Sequence, residues 1–183
     1  MRAVILYMSM SRDGFVGSDR EHPGVAVPDA ELKQWKLDRI GKAGAHLMGR
    51  VTYQEMASYW PQSDDLYAAP VDDIPEVVFS KTPSDAEATW PGTRVARGDL
   101  AAEIAAIKAE PGPDVIVWGG SRLPGALAAA DLIDEYRLLV QPLVLGRGQA
   151  LSDQLPESRH LDLVRAAPFP GGSVVHLCRP QRT

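Results

Sequence analysis

The sequence has a single cysteine, Cys178, so no internal disulfide can staple the chain. A lone thiol in an apolar stretch reads as a buried structural residue in a reducing, cytoplasmic setting. Long apolar runs are missing too, and nothing approaches the ~20 residues that a membrane-spanning helix needs. The opening stretch MRAVILYMSMSRDG has no small-residue cleavage site after it and reads as a strand rather than a signal peptide. Basic residues are in deficit, with 19 Lys and Arg against 24 Asp and Glu. A net charge of −5 argues against nucleic acid or an anionic membrane as partner. His22, His46, His160 and His176 are scattered, and none pairs with another His, Cys or carboxylate at ligand spacing, so no metal is expected. G-x-G-x-x-G, the P-loop, G-x-S-x-G and the H-x-E with P-C-x-x-C zinc signature are all absent. These absences exclude the common dinucleotide fold, P-loop nucleotide hydrolysis, serine hydrolase chemistry and zinc-dependent deamination. No repeat or linker divides the chain, and 61–75 is too short and aromatic to separate domains. Residues 1–183 are therefore read as one domain.

What is present alternates. Apolar β-like runs lie at Ala3–Met10, Ala45–Met48, Glu76–Ser80, Asp114–Trp118 and Glu135–Leu145, with weaker ones at Leu161–Ala166 and Ser173–Leu177. Helical spacing falls between them. Asp29 can cap a helix carrying Leu32, Trp35 and Ile40, and Asp99 one carrying Leu100, Ile104 and Ile107. Thr52–Tyr59 and Arg122–Ala130 are the other helices. This order predicts an α/β class with a mostly parallel, doubly covered sheet, and the strand-only C-terminal part predicts an antiparallel edge.

In such sheets ligands bind at the carboxyl ends of strands, where helix N-termini offer free N–H groups to anions. Consecutive strand ends here carry SMSRDGFVG (Ser9–Gly17), GRVTY (Gly49–Tyr53), Ser80-Lys81 and GGSRL (Gly119–Leu123). Each stretch alone is an ordinary turn or a solvated charge; together they mark one edge. At Gly119-Gly120, residues without a Cβ would let a phosphate approach the backbone while Ser121 caps the next helix. Gly146-Arg147-Gly148 opens no helix pattern and reads as a turn.

The order S-x-D-G, M-G-R-x-T-Y, S-K, G-G-S-x-L and then LIDEYRLLVQPLVLGRG resembles the dihydrofolate reductase superfamily. It is most similar to stand-alone proteins resembling the reductase domain of riboflavin biosynthesis. The resemblance implies a three-layer dihydrofolate-reductase-like fold that binds NADPH across the strand ends. By resemblance, Gly49, Arg50, Val51 and Thr52 sit at the pyrophosphate and 2′-phosphate, and Ser80 and Lys81 flank the 2′-phosphate. Arg97 lies toward the adenine, and Gly119, Gly120, Ser121, Arg122 and Leu123 wrap the pyrophosphate. Ser9, Val16 and Gly17 line the nicotinamide. The residue types suit the task, since Arg binds phosphate as a fork and Lys as a point charge. The resemblance also implies a cis Gly119–Gly120 bond and a homodimer.

On the substrate side, the family's carboxylate in the first turn of the first helix has two candidates, Glu31 and Asp29. Glu31 matches better by position, because Asp29 is the better cap. The bland alternative is that the macrodipole favours acids in any first turn. Tyr53 and Met56 are the pocket-lining candidates, and the loops 18–27 and 61–75 would supply further contacts. The expected function is NADPH-dependent hydride transfer to a small pterin- or folate-like heterocycle. One alternative is the ribosylaminouracil-type reductase of the riboflavin pathway. Another, from a different class, is a nucleotide-binding or regulatory protein without turnover.

Overall fold

The computed structural model describes residues 1–17, 29–65, 68, 71, 73–81 and 90–181; the substrate-loop candidate 18–27 lies outside them, and 61–75 is described in part. β1 (Val4–Met10) leads to a short β2 (Phe15–Gly17), then α1 (Ala30–Ile40), β3 (Ala45–Gly49) and α2 (Arg50–Tyr59). β4 (Glu76–Phe79), β5 (Arg94–Ala96), α3 (Leu100–Ala109), β6 (Val115–Trp118) and α4 (Arg122–Ala129) follow. β7 (Glu135–Val140), β8 (Gln149–Ala150), β9 (Leu161–Pro168) and β10 (Val174–Pro180) complete the order.

The main sheet runs β5-β4-β3-β6-β1-β7-β10-β9. Pairing is parallel from β5 through β7, and β10 is antiparallel to both β7 and β9. The class is α/β, with a mostly parallel sheet and an antiparallel C-terminal edge. Val4 to Met8 of β1 are all buried, as a central parallel strand covered on both faces requires. Ile104 and Ile107 of α3 and Leu123 and Leu127 of α4 fill one face; Leu32 and Ile40 of α1 and Tyr53 of α2 fill the other. Among the described residues, no helix is long and apolar enough to cross a membrane.

Both aspartate caps form. Asp29 Oδ1 accepts from the Leu32 N–H at 2.9 Å, and Asp99 Oδ1 accepts from the Ala102 N–H at 3.0 Å. The run expected to reach Leu145 stops at Val140. Pro142 has no N–H to continue the ladder, and the next residues bond elsewhere: Leu143 O accepts from the Arg12 N–H at 2.8 Å. The paired short strands β2 and β8 are not foreshadowed in the sequence, because three- and two-residue strands carry no periodicity.

The topology creates one special edge. From β1 the chain skips a position to β3, moves outward to β4 and β5, and returns to insert β6 between β3 and β1. The helices after the neighbours β3 and β6 therefore lie on opposite faces. That is a topological switch point, where a crevice opens at the strand ends.

Candidate active site

The glycines at the ends of β3 and β6 bring two helix starts together. A Cβ added to Gly49 would touch Leu123 Cβ at 3.8 Å, which sets the first turn of α4 beside the end of β3. A Cβ on Gly119 would meet Thr52 Cγ2 at 3.2 Å, and one on Gly120 would meet Thr52 Oγ1 at 3.3 Å. Thr52 of α2 thus lies against the glycine turn that opens α4. The starts of two helices, whose first N–H groups have no intrahelical acceptor, thus meet at one glycine turn where a Cβ at 119 or 120 would crowd Thr52.

The expected cis bond is absent: no described peptide bond is cis. Gly119 and Gly120 instead have φ of 36° and 65°, so the chain turns through trans bonds in the left-handed region that glycine alone enters without strain. Ser121 stands at the N-cap position, but its side chain makes no capping bond. Its φ and ψ of −101° and −28° are already helical, which denies the hydroxyl the extended geometry of a cap. The Ser121 Oγ donates instead to Gln149 Oε1 at 3.1 Å. Since Gln149 pairs with Gly17, this bond ties the glycine turn to the β2–β8 ribbon. No sequence signal marks Gln149.

The remaining cofactor candidates line the same edge. Ser9 lies near the end of β1, and Val16 packs from β2 onto the core beside it. Arg50 opens α2 half-buried, with exposed Val51 after it. Ser80 follows β4 and donates its backbone N–H to Ala96 O of β5 at 3.2 Å, which sets Ser80 and exposed Lys81 beside exposed Arg97 at two adjacent strand ends. Arg122 is exposed on the first turn of α4, whereas Leu123 is buried.

The substrate-side candidates fare differently. Tyr53 is 2% exposed, and its Oη accepts from the Trp90 N–H at 2.9 Å and from Thr93 Oγ1 at 3.3 Å. It is a core residue with a satisfied hydroxyl, not a pocket wall. Met56 packs half-buried onto the same cluster. Asp29 spends both oxygens on backbone, since Oδ2 also accepts from Gly171 N–H at 2.6 Å. The Leu32 and Gly171 N–H groups hold its carboxyl below the usual carboxylate range. Asp29 thereby staples the start of α1 to the turn between β9 and β10, while Glu31 is exposed. In S-x-D-G, Asp13 Oδ1 and Oδ2 accept from the N–H groups of Leu145 and Gly146 at 3.1 and 2.7 Å. Hydrogen bonds from Ser11 and these amides lower its pKa to about 2.

A parallel sheet with paired helix starts and a glycine turn at its switch point defines an α/β protein of the dihydrofolate-reductase-like class. Residues 2–175 match the model of the RibD C-terminal domain, and the chain belongs to that family. The uncharacterised protein YyaP of Bacillus subtilis is 25% identical over 181 residues, covering 94% of this chain and 92% of YyaP. A Shewanella sp. PV-4 protein assigned provisionally to riboflavin biosynthesis superposes with a TM-score of 0.74 at 21% identity, covering 98% of this chain and 99% of that one. Dihydrofolate reductase from Enterococcus faecalis, solved with NADP(H), has a TM-score of 0.67 at 14% identity, with coverage of 98% and 97%. These likenesses establish the fold.

Proposed function

We propose that this protein is a reductase of the riboflavin-pathway type that uses NADPH to reduce a small pyrimidine-like heterocycle. The observation that carries the reading is the bare glycine turn facing two helix N-termini. It fits a pyrophosphate, because the donors are backbone N–H groups at two helix starts, and a Cβ at 119 or 120 would crowd Thr52 and disturb both of them. Arg50, Ser80, Lys81 and Arg97 would hold the 2′-phosphate and adenine end, and Ser9, Val16 and Gly17 would hold the nicotinamide. NADPH, when bound, supplies the hydride. Glu31, the exposed acid in the first turn of α1, is the proposed proton source for the reduced ring. Family membership favours a pyrimidine over a folate as substrate, and favours turnover over a purely regulatory role.

The test is twofold: NADPH affinity from its fluorescence, and NADPH oxidation with aminouracils, pterins, folates and quinones in turn. Binding with oxidation confined to the heterocycles supports the proposal; no NADPH binding at millimolar protein removes it. A second copy of the chain is the proposed partner. β9 is an edge strand with Leu163 59% and Val164 52% exposed, a surface that proteins ordinarily cover. Val164→Lys is expected to convert a dimer to monomer in sedimentation, and a wild-type monomer would discard the dimer.

A further inference from the structure

The inward stripe of α1 runs Leu32, Lys36, Ile40, at steps of one helical turn. Leu32 and Ile40 are each 2% exposed, yet they belong to different core clusters on the same sheet face. Leu32 packs with Tyr7, Leu139 and Val175, and Ile40 with Met48, Tyr53 and Val78. Lys36 therefore lies over the seam between the clusters. Trp118, the last residue of β6, packs against both and floors that seam just before the glycine turn. Tyr7 lies 5.7 Å from the Trp118 ring and 6.0 Å from Trp35, which gives the seam an aromatic wall.

The other cations of α1 are engaged. Lys33 pairs with Asp65 at 3.1 Å; Arg39 donates to Trp35 O at 3.0 Å and stacks on the Trp35 ring. Lys36 is half-buried with no hydrogen-bond partner among the described residues. Burial alone pulls its pKa below the ordinary lysine value, with no carboxylate offsetting the shift. An ammonium taken partly out of water without a counter-charge is unfavourable, and a ligand that supplies one relieves it. Trp118 Nε1 adds a second buried donor without a hydrogen-bond partner. Helical Cα–Cβ bonds lean toward the helix N-terminus, and the N-terminus of α1 lies at the strand-end edge, so the Lys36 stem leans toward the candidate site.

We propose that Lys36 is a specificity-determining residue whose ammonium, set between Leu32 and Ile40 over the Trp118 floor, receives a ring carbonyl or anionic lactam oxygen of the substrate. The assignment rests on the reductase reading and sharpens it. An ammonium donates and never accepts, so this position selects dioxo heterocycles over amino-substituted ones. A uracil-type ring fits, and a diaminopyrimidine offers the wrong partner.

Quenching of tryptophan fluorescence by lumazine (2,4-dioxopteridine) and by 2,4-diaminopteridine, with and without NADP+, tests this. Wild type is expected to bind lumazine about tenfold or more tighter than the diamino ring, the value of one charge-assisted hydrogen bond. Lys36→Met loses about that factor for lumazine, with diaminopteridine and NADP+ binding unchanged, and Lys36→Arg retains most of it. Equal lumazine affinity in wild type and Lys36→Met overturns the proposal. A wild-type preference for the diamino ring does so even if the methionine variant fails to fold. Absence of NADP+ binding in wild type overturns the reductase reading instead, while the cofactor-free titrations still decide the role of Lys36.

Discussion

The two halves of the candidate site are built by different means. The half proposed for the cofactor is backbone: strand ends, helix starts and the glycines at 49, 119 and 120. The half proposed for the substrate is side chain: residues of α1 whose roles depend on which way each one turns. Asp29, Glu31 and Lys36 lie within two helical turns, yet one staples backbone, one meets solvent and one is half-buried. A backbone site tolerates sequence drift wherever the glycines and the topology persist. A side-chain site changes its chemistry with one substitution, which is how one fold serves different substrates.

The sharpest way to break this contrast is to put a side chain on the floor. Gly120→Val adds a β-branched residue at φ 65°, with its Cβ 3.3 Å from Thr52 Oγ1. NADPH affinity is expected to fall on the order of 100-fold, by obstruction of the phosphate and disturbance of both helix starts. Gly92→Val is the control, since φ there is 80° with nothing within 4 Å. It imposes similar backbone strain and should leave NADPH affinity unchanged in the same fluorescence titration. Equal affinity losses in the two variants would show global strain rather than a cradle.

On the other half, Glu31→Gln is expected to lower turnover by ~100-fold with NADPH affinity intact, the usual range for a positioned acid. Asp29→Asn should do the reverse, lowering the melting temperature while sparing turnover, because its oxygens serve Leu32 and Gly171. A turnover loss confined to the Asp29 variant would exchange the two roles.

The same contrast governs what is legible in the chain. Gly49, Gly119 and Gly120 stand out because a glycine between an apolar run and a helix pattern serves either a tight turn or a close approach to the backbone. Parallel strands then have to bring those junctions to one edge. Tyr53 misleads because its spacing in α2 gives an inward direction but not what lies inside; the partner is the backbone of Trp90, far along the chain. Ser121 misleads for a related reason. A cap needs extended backbone, and only the fold reveals that the residue is already helical with its hydroxyl committed to Gln149. The β2–β8 ribbon is invisible in the sequence because strands of three and two residues carry no hydrophobic period, and Asp13 bonds the loop before β8 through backbone N–H groups that no pattern marks.

A milder perturbation tests whether side chains at the cofactor edge also matter through charge. Arg50 and Lys81 at neighbouring strand ends predict a preference for NADPH over NADH of about 10- to 100-fold, from one or two charge-assisted bonds. Arg50→Met should reduce that preference about tenfold while NADH affinity stays nearly constant. Equal affinities for the two cofactors in wild type would remove the 2′-phosphate assignment and leave only the pyrophosphate cradle.

The smallest effect is expected where side chain and backbone meet, at Asp13. Its carboxylate receives the Ser11 hydroxyl and the Leu145 and Gly146 N–H groups, and its pKa falls to about 2 from an ordinary 3.8. A depressed carboxyl pKa means that the unfolded chain takes up the proton first as pH falls. The contribution of Asp13 is thus complete above about pH 4 and is lost as pH drops toward 2. Asp13→Asn is expected to melt about 2 °C below wild type at pH 7, with the gap closing near pH 2.5. Faster hydrogen exchange at Leu145 and Gly146 should accompany the substitution at neutral pH, because their acceptor is weakened there and the neighbouring β2–β8 pairing is short. A melting gap that stays constant from pH 7 to pH 2.5 would mean that the loop is held by the Arg12–Leu143 backbone bond instead, with the Asp13 carboxylate a bystander.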